Sequence, residues 1–127
     1  MNDEKTEKNH IYFGKQGENL AINYLLSKGL QIIERNFVFG KNEIDIICRD
    51  RNEIVFVEVK TRTTNIFGEP EMAVNIQKQR SIIKVADAYI CKYNIDLESR
   101  FDIISIVIDK ENKSQIHHIE RAFTPFI

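Results

Sequence analysis

Several features are scarce in this 127-residue chain, and each scarcity closes off a class of protein. Only two cysteines occur, Cys48 and Cys91, far apart and without CxxC spacing. They read as reduced thiols in the core or near the surface rather than as staples or a metal knuckle. No apolar run approaches the length of a membrane span, and the N-terminus carries no signal-peptide h-region. Nothing addresses the chain elsewhere, so the cytoplasm is the expected compartment and no membrane partner is expected. Neither sign of charge dominates, because the formal net charge is -1. No global positive field would gather a polyanion, and any nucleic-acid contact must come from a local patch.

What is present suits one compact domain. The hydrophobic fraction of 43% is ordinary and the charged fraction of 29% only slightly high, so a core forms without metals or disulfides as staples. Met1 to Asn9 is polar and reads as a flexible tail, which leaves residues 10–127 as a single domain. Glu18, Leu20, Ala21, Tyr24 and Leu25 follow helical spacing that ends at Gly29 as a C′ glycine. Strand-like runs are expected over about Leu30–Val38, Glu43–Arg49 and Glu53–Thr61. Phe39-Gly40-Lys41-Asn42 and Asp50-Arg51-Asn52 carry the turn chemistry between them. Thr63 to Glu69 reads as a loop, and a second helix covers roughly Asn75 to Tyr93. Arg100–Asp109 and Ser114–Glu120 complete the order αβββαββ, an α/β (α+β) arrangement with a mixed central sheet flanked by helices.

Chemistry concentrates on the second and third strands. Alternation puts Ile44, Ile46 and Cys48 on one face of the second, and Glu43, Asp45 and Ile47 on the other. On the third, Val55, Val57 and Val59 share a face opposite Phe56, Glu58, Lys60 and Arg62. A two-residue turn at Arg51-Asn52 would pair Asp50 with Glu53 and Ile47 with Phe56. It would also set Asp45 opposite Glu58, and Glu43 opposite Lys60. Like charges at about 5 Å destabilise a hairpin unless a cation lies between them. A hard divalent ion, Mg²⁺ or Mn²⁺, taking carboxylate, carbonyl and water oxygens would supply it. Lys60 points to the same side, where an ammonium can orient an attacking water or stabilise charge developing on a phosphate. A solvated face of exposed ion pairs is the competing reading of the same charges.

Asp45 followed by Glu58-Val59-Lys60 resembles the D…ExK core of the PD-(D/E)XK nucleases, the restriction-endonuclease-like fold. More narrowly, the chain resembles the YraN-like family of small bacterial proteins. The similarity is carried by Gly14-Lys15-Gln16-Gly17-Glu18 with Ala21, Glu34-Arg35-Asn36, Glu43 to Ile47, and Val55 to Arg62. It continues through Phe67-Gly68, Lys78-Gln79-Arg80 and Arg100-Phe101-Asp102. The resemblance implies metal binding by Asp45, Glu58 and the Val59 carbonyl, with Lys60 assisting the attacking water. In the related archaeal-type junction resolvases an acid of the first helix joins the site, and Glu18 stands at that position. One departure is visible, because Asn42 stands where the family pattern has Gly; Asn tolerates left-handed turns.

Other residues carry two readings each. Glu18 is either a site carboxylate or a first-turn acid favoured by the helix dipole. Arg62 is either a phosphate clamp or a rim charge. Gln77, Lys78, Arg80 and Lys84 crowd the first half of the second helix and are the candidate nucleic-acid contacts, against the commoner reading of solvated helix charges. His117 and His118 are adjacent, so on a strand they face opposite sides and cannot chelate one ion together. Arg100 opens a strand and reads as structural, while Phe123 to Ile127 docks either on the core or on a second subunit.

Three functions remain in play at this point. A metal-dependent endonuclease acting on DNA, branched or damaged DNA included, is expected first. A non-catalytic nucleic-acid-binding module that keeps the fold is the alternative, and an interaction protein with a ligand-free charged hairpin is the third. Symmetric cutting would need a two-fold homodimer.

Overall fold

A computed structural model describes the backbone of residues 3–63 and 74–125, with side chains from residue 14 onward within those ranges. The elements are α1 (Asp3–Ser27), β1 (Gln31–Phe39), β2 (Asn42–Asp50), β3 (Glu53–Thr63), α2 (Ile76–Tyr93), β4 (Glu98–Ile108) and β5 (Ser114–Phe123). The order is αβββαββ, as expected, and the fold is α+β. Helical backbone already begins at Asp3, where a tail was expected over residues 1–9. The family segment Phe67-Gly68 and most of the expected loop from Thr63 to Glu69 lie outside the described residues, while Thr63 itself ends β3.

Local rules set the ends of the helices. At the end of α1, Gly29 takes a φ of +88°, the Gly29 N–H donates to the Leu26 carbonyl at 3.0 Å, and Leu30 N–H donates to Leu25 at 3.1 Å. These two bonds close a Schellman motif and turn Leu30 back onto Leu25. Asn75 caps α2, its side chain accepting from the Lys78 N–H at 2.8 Å, and Asn94 ends the helix in a left-handed conformation.

The five strands run in sheet order β1-β2-β3-β4-β5. All neighbours are antiparallel except β3 and β4, which are parallel because α2 carries the chain back across the sheet between them. The turn at Arg51-Asn52 gives the expected register, from Asp50 opposite Glu53 to Ile46 opposite Val57. In the β1–β2 turn the left-handed φ falls on Gly40, at +64°, and Asn42 is the first residue of β2.

Each sheet face is buried beneath one helix. Ala21 and Leu25 of α1 pack with Ile46, Cys48, Val55 and Val57. Ile82, Val85 and Tyr89 of α2 pack with Ile47, Ile54 and Phe56 on the other face. Ile54-Val55-Phe56-Val57 is therefore buried on both sides, the continuous apolar run of a covered central strand.

One facing differs from simple alternation. Ile44 packs on the α2 side with Ile47 and Phe56, not with Ile46 and Cys48. The cause lies on β1, where Asn36 adopts a left-handed φ of +52° opposite the position of Asp45. Arg35 and its partner Ile46 face α1, whereas Phe37 and its partner Ile44 face α2. Both strands reverse their facing at that level while the register stays constant from Glu34–Ile47 to Phe39–Asn42; the register shift of this pair lies between Ile32 and Glu34.

Candidate active site

The site forms where β2 and β3 part. Their ladder runs as far as Ile46 opposite Val57, and beyond it the Val59 N–H donates to the Asp45 carboxylate, Oδ2, at 2.8 Å. Asp45 thus satisfies a backbone donor that the neighbouring strand no longer reaches, and it does so with a carboxylate. The expected direct pairing of Asp45 with Glu58 is replaced by this bond. A strand residue presents its N–H and C=O to the same edge, so the Val59 carbonyl belongs to the Asp45 side.

Electrostatics mark the same spot. Burial raises the Asp45 carboxyl first, and the Glu58 charge adds to it; the Val59 N–H pulls the other way, and Glu18 and Glu43 raise it again, to about 7. Burial also raises Glu58, against the opposing pull of Lys78 and Lys60. Lys78 Nζ lies 3.6 Å from Glu58 Oε1, and its side chain is 48% exposed while that of Glu58 is 14% exposed. A cation reaching over a mostly buried carboxylate is what such a pair needs when its own strand offers too little positive charge.

Glu18 comes to the site from α1. Asn36 Nδ2 donates both to Glu18 Oε1, at 2.8 Å, and to Glu43 Oε1, at 3.0 Å. The helix can come this near because of Gly17: a Cβ there would overlap the Thr61 hydroxyl of β3. Four carboxylates, Glu18, Glu43, Asp45 and Glu58, are thereby gathered with Lys60 at one end of the sheet.

Much of the sequence that builds this site is matched in other proteins. A family model described as "Uncharacterised protein family UPF0102" matches residues 17–106. The chain belongs to the UPF0102 family. The YraN-like resemblance carried by the sequence motifs is to this same family. A UPF0102 protein of Phocaeicola vulgatus is 49% identical, covering 91% of this chain and 95% of its own. A UPF0102 protein of Thermodesulfovibrio yellowstonii is 48% identical over 89% of this chain and 96% of its own. One from Bacteroides thetaiotaomicron is 43% identical over 91% and 95%. These UPF0102 names state membership and no reaction, so the chemistry has to be argued from the site itself.

The donor chemistry suits a hard divalent cation. Asp45 and Glu58 supply oxygens, each held in a partly buried position that penalises its charge, and the Val59 carbonyl adds a neutral oxygen. Among the described residues no group of three or more His, Cys, Asp or Glu side chains is placed to hold a metal ion, so the fit rests on two carboxylates and a carbonyl.

The remaining sequence candidates separate. Lys78 joins the site through Glu58. Gln77, Arg80 and Lys84 are exposed on α2 and make no hydrogen bond or ion pair with Asp45 or Glu58 among the described residues. Arg80 follows Lys78 by two residues, about 200° around the helix, and cannot face Glu58 with it. Arg62 is half-buried two residues beyond Lys60 on β3.

Sequence reasoning passed over Asn36, whose only signal was its place in Glu34-Arg35-Asn36. It read His118 only as unable to share an ion with His117 and did not place it beside Asp102. Asp102 is fully buried and receives Arg100 through two 3.0 Å bonds, His118 Nε2 at 2.7 Å and the Arg121 N–H at 3.1 Å. Burial alone would raise its carboxyl, but these bonds hold it below the usual value. Arg100 and Asp102 stand two apart on a strand and so share a face, a spacing from which their pairing was readable.

Proposed function

We propose that this chain is a Mg²⁺- or Mn²⁺-dependent endonuclease hydrolysing phosphodiester bonds of DNA, branched or damaged DNA included. The observation that carries the reading is the Asp45 carboxylate on the Val59 N–H, at the point where β2 leaves β3, with Glu58 and Lys60 beside it. A structural ion-pair ladder would alternate sign there; this site instead concentrates acids that cost stability without a cation. Asp45, Glu58 and the Val59 carbonyl would hold the ion, and Glu18, whose charge is felt at Asp45, would join them from α1. The ion would supply Lewis acidity at the phosphoryl oxygen and positive charge in the transition state.

The protein's own groups do the rest. Lys60, two residues along the strand from Glu58, is on the site side and presents a donor to the attacking water or to a non-bridging phosphate oxygen. Lys78 holds Glu58 from the opposite helix and adds positive charge at the mouth. Burial of the carboxylates limits the water that competes with the attacking one. Free Cys48 and Cys91 fit the reducing cytoplasm proposed with this function.

The test is cleavage of a panel of linear, flapped and four-way DNA in Mg²⁺ and Mn²⁺, with Asp45→Asn and Lys60→Ala beside the wild type. Metal-dependent cutting that both substitutions abolish supports the reading. Salt-sensitive binding without cutting would move the assignment to a nucleic-acid-binding module.

A further inference from the structure

We propose that Asn36 is a positioning residue for the cation site, holding the helix acid Glu18 and the strand acid Glu43 in place for it. This assignment rests on the metal-site reading above. Asn36 stands on β1 level with Asp45, between the pairs Arg35–Ile46 and Phe37–Ile44. Its left-handed backbone, φ +52°, is a conformation that Asn tolerates better than most side chains, and it re-aims both strands at that level.

The side chain then makes an unusual pair of contacts. One amide nitrogen, Nδ2, donates one hydrogen to Glu18 Oε1 at 2.8 Å and the other to Glu43 Oε1 at 3.0 Å. Two carboxylates from different elements repel each other, and nothing intrinsic to α1 or β2 would keep them together. An amide NH₂ is the neutral group that can donate to both at once and still leave their outer lone pairs for a ligand. The same carboxylates line a cleft of about 700 Å³ with Gly14, Lys15, Asn19, Arg35 and Asn36 itself, and the charges of both Glu18 and Glu43 are felt at Asp45. Asn36 therefore decides whether the α1 acid belongs to the site or swings into solvent.

A double-mutant cycle on Mn²⁺ affinity, read by calorimetry, separates this role from a merely structural one. Asn36→Gly keeps the left-handed backbone and removes the donor; Asn36→Asp serves as a second variant of like backbone tolerance that also cannot donate. Groups that orient ligands are typically worth about tenfold in metal affinity. Glu18→Gln in the wild-type background should weaken Mn²⁺ binding by about tenfold, and Asn36→Gly by a similar factor. Added to Asn36→Gly or Asn36→Asp, Glu18→Gln should cost less than about twofold further, because Glu18 has already left the site. Equal losses from Glu18→Gln in both backgrounds, or Asn36→Gly binding Mn²⁺ like the wild type, would overturn the assignment while leaving the metal site intact. Absence of Mn²⁺ binding by the wild type would overturn the metal site and this assignment with it.

Discussion

Replacing Asp45 with Asn should make the cation-free protein more stable at alkaline pH, although the residue is central to the proposed chemistry. Burial, then the Glu58 charge, raises the Asp45 carboxyl from 3.8 to about 7, with the Val59 N–H only partly opposing them. The folded-state pKa lies above the unfolded one, which fixes the sign. Below about pH 4 the group is neutral in both states and no penalty exists. Between about pH 4 and about pH 7 the unfolded chain ionises first and stability falls; above that the full penalty persists. A rise of this size corresponds to at most about 4 kcal/mol. Because the repulsion is shared with Glu58 and water reaches the cleft, about 1–2 kcal/mol is the expected gain from Asp45→Asn. For a domain of this length that is roughly 3–8 °C in Tm. Asn keeps an oxygen that accepts the Val59 N–H, so the backbone contact survives the exchange. Thermal unfolding in chelator should show the variant gaining most near about pH 8 and converging with the wild type near about pH 4. A variant less stable than the wild type at about pH 8 refutes the reasoning and makes Asp45 a structural cap.

Other outcomes follow from the same geometry. Arg100→Met strips a fully buried Asp102 of its bidentate partner and should cost about 3–5 kcal/mol, read by urea unfolding; a loss under about 1 kcal/mol would contradict the network. Gly17→Ala should destabilise by about 1–3 kcal/mol through overlap with the Thr61 hydroxyl, outweighing the better helix propensity of Ala, and Thr61→Ala in the same chain should recover part of the loss. Lys78→Met removes an ammonium that competes for Glu58, so Mn²⁺ affinity by calorimetry should rise by about two- to fivefold; a fall would make Lys78 a supporter of the ion rather than a rival.

The fold was legible in the sequence where a local rule decided it. The Arg51-Asn52 turn set the β2–β3 register, Gly29 ended α1, and Asn75 opened α2, each by chemistry confined to a few residues. Glu58 and Lys60 could be assigned to one side because strand alternation holds along β3, with Val55, Val57 and Val59 facing α1. The failures share one cause, which is that tertiary contacts override the period of two. Ile44 changed face because Asn36, on a different strand, adopts a left-handed φ. Asp45 meets a backbone N–H rather than the Glu58 side chain because the ladder ends one step earlier than simple pairing implies. His118 is held by Asp102 across two strands, and its neighbour His117 gave no hint of that. Phe123 stacks on Phe101 with ring centroids 5.1 Å apart, a contact that strand alternation did not reveal, and residues 126–127 of that segment lie outside the described residues.

The most direct measurement of the central claim is the anomalous-scattering map of a crystal of this protein soaked in Mn²⁺. The account predicts a peak bounded by Asp45, Glu58 and the Val59 carbonyl, with Glu18 directed toward it and Asn36 still bonded to Glu18. No peak at that position, or Mn²⁺ bound only elsewhere on the surface, would contradict it.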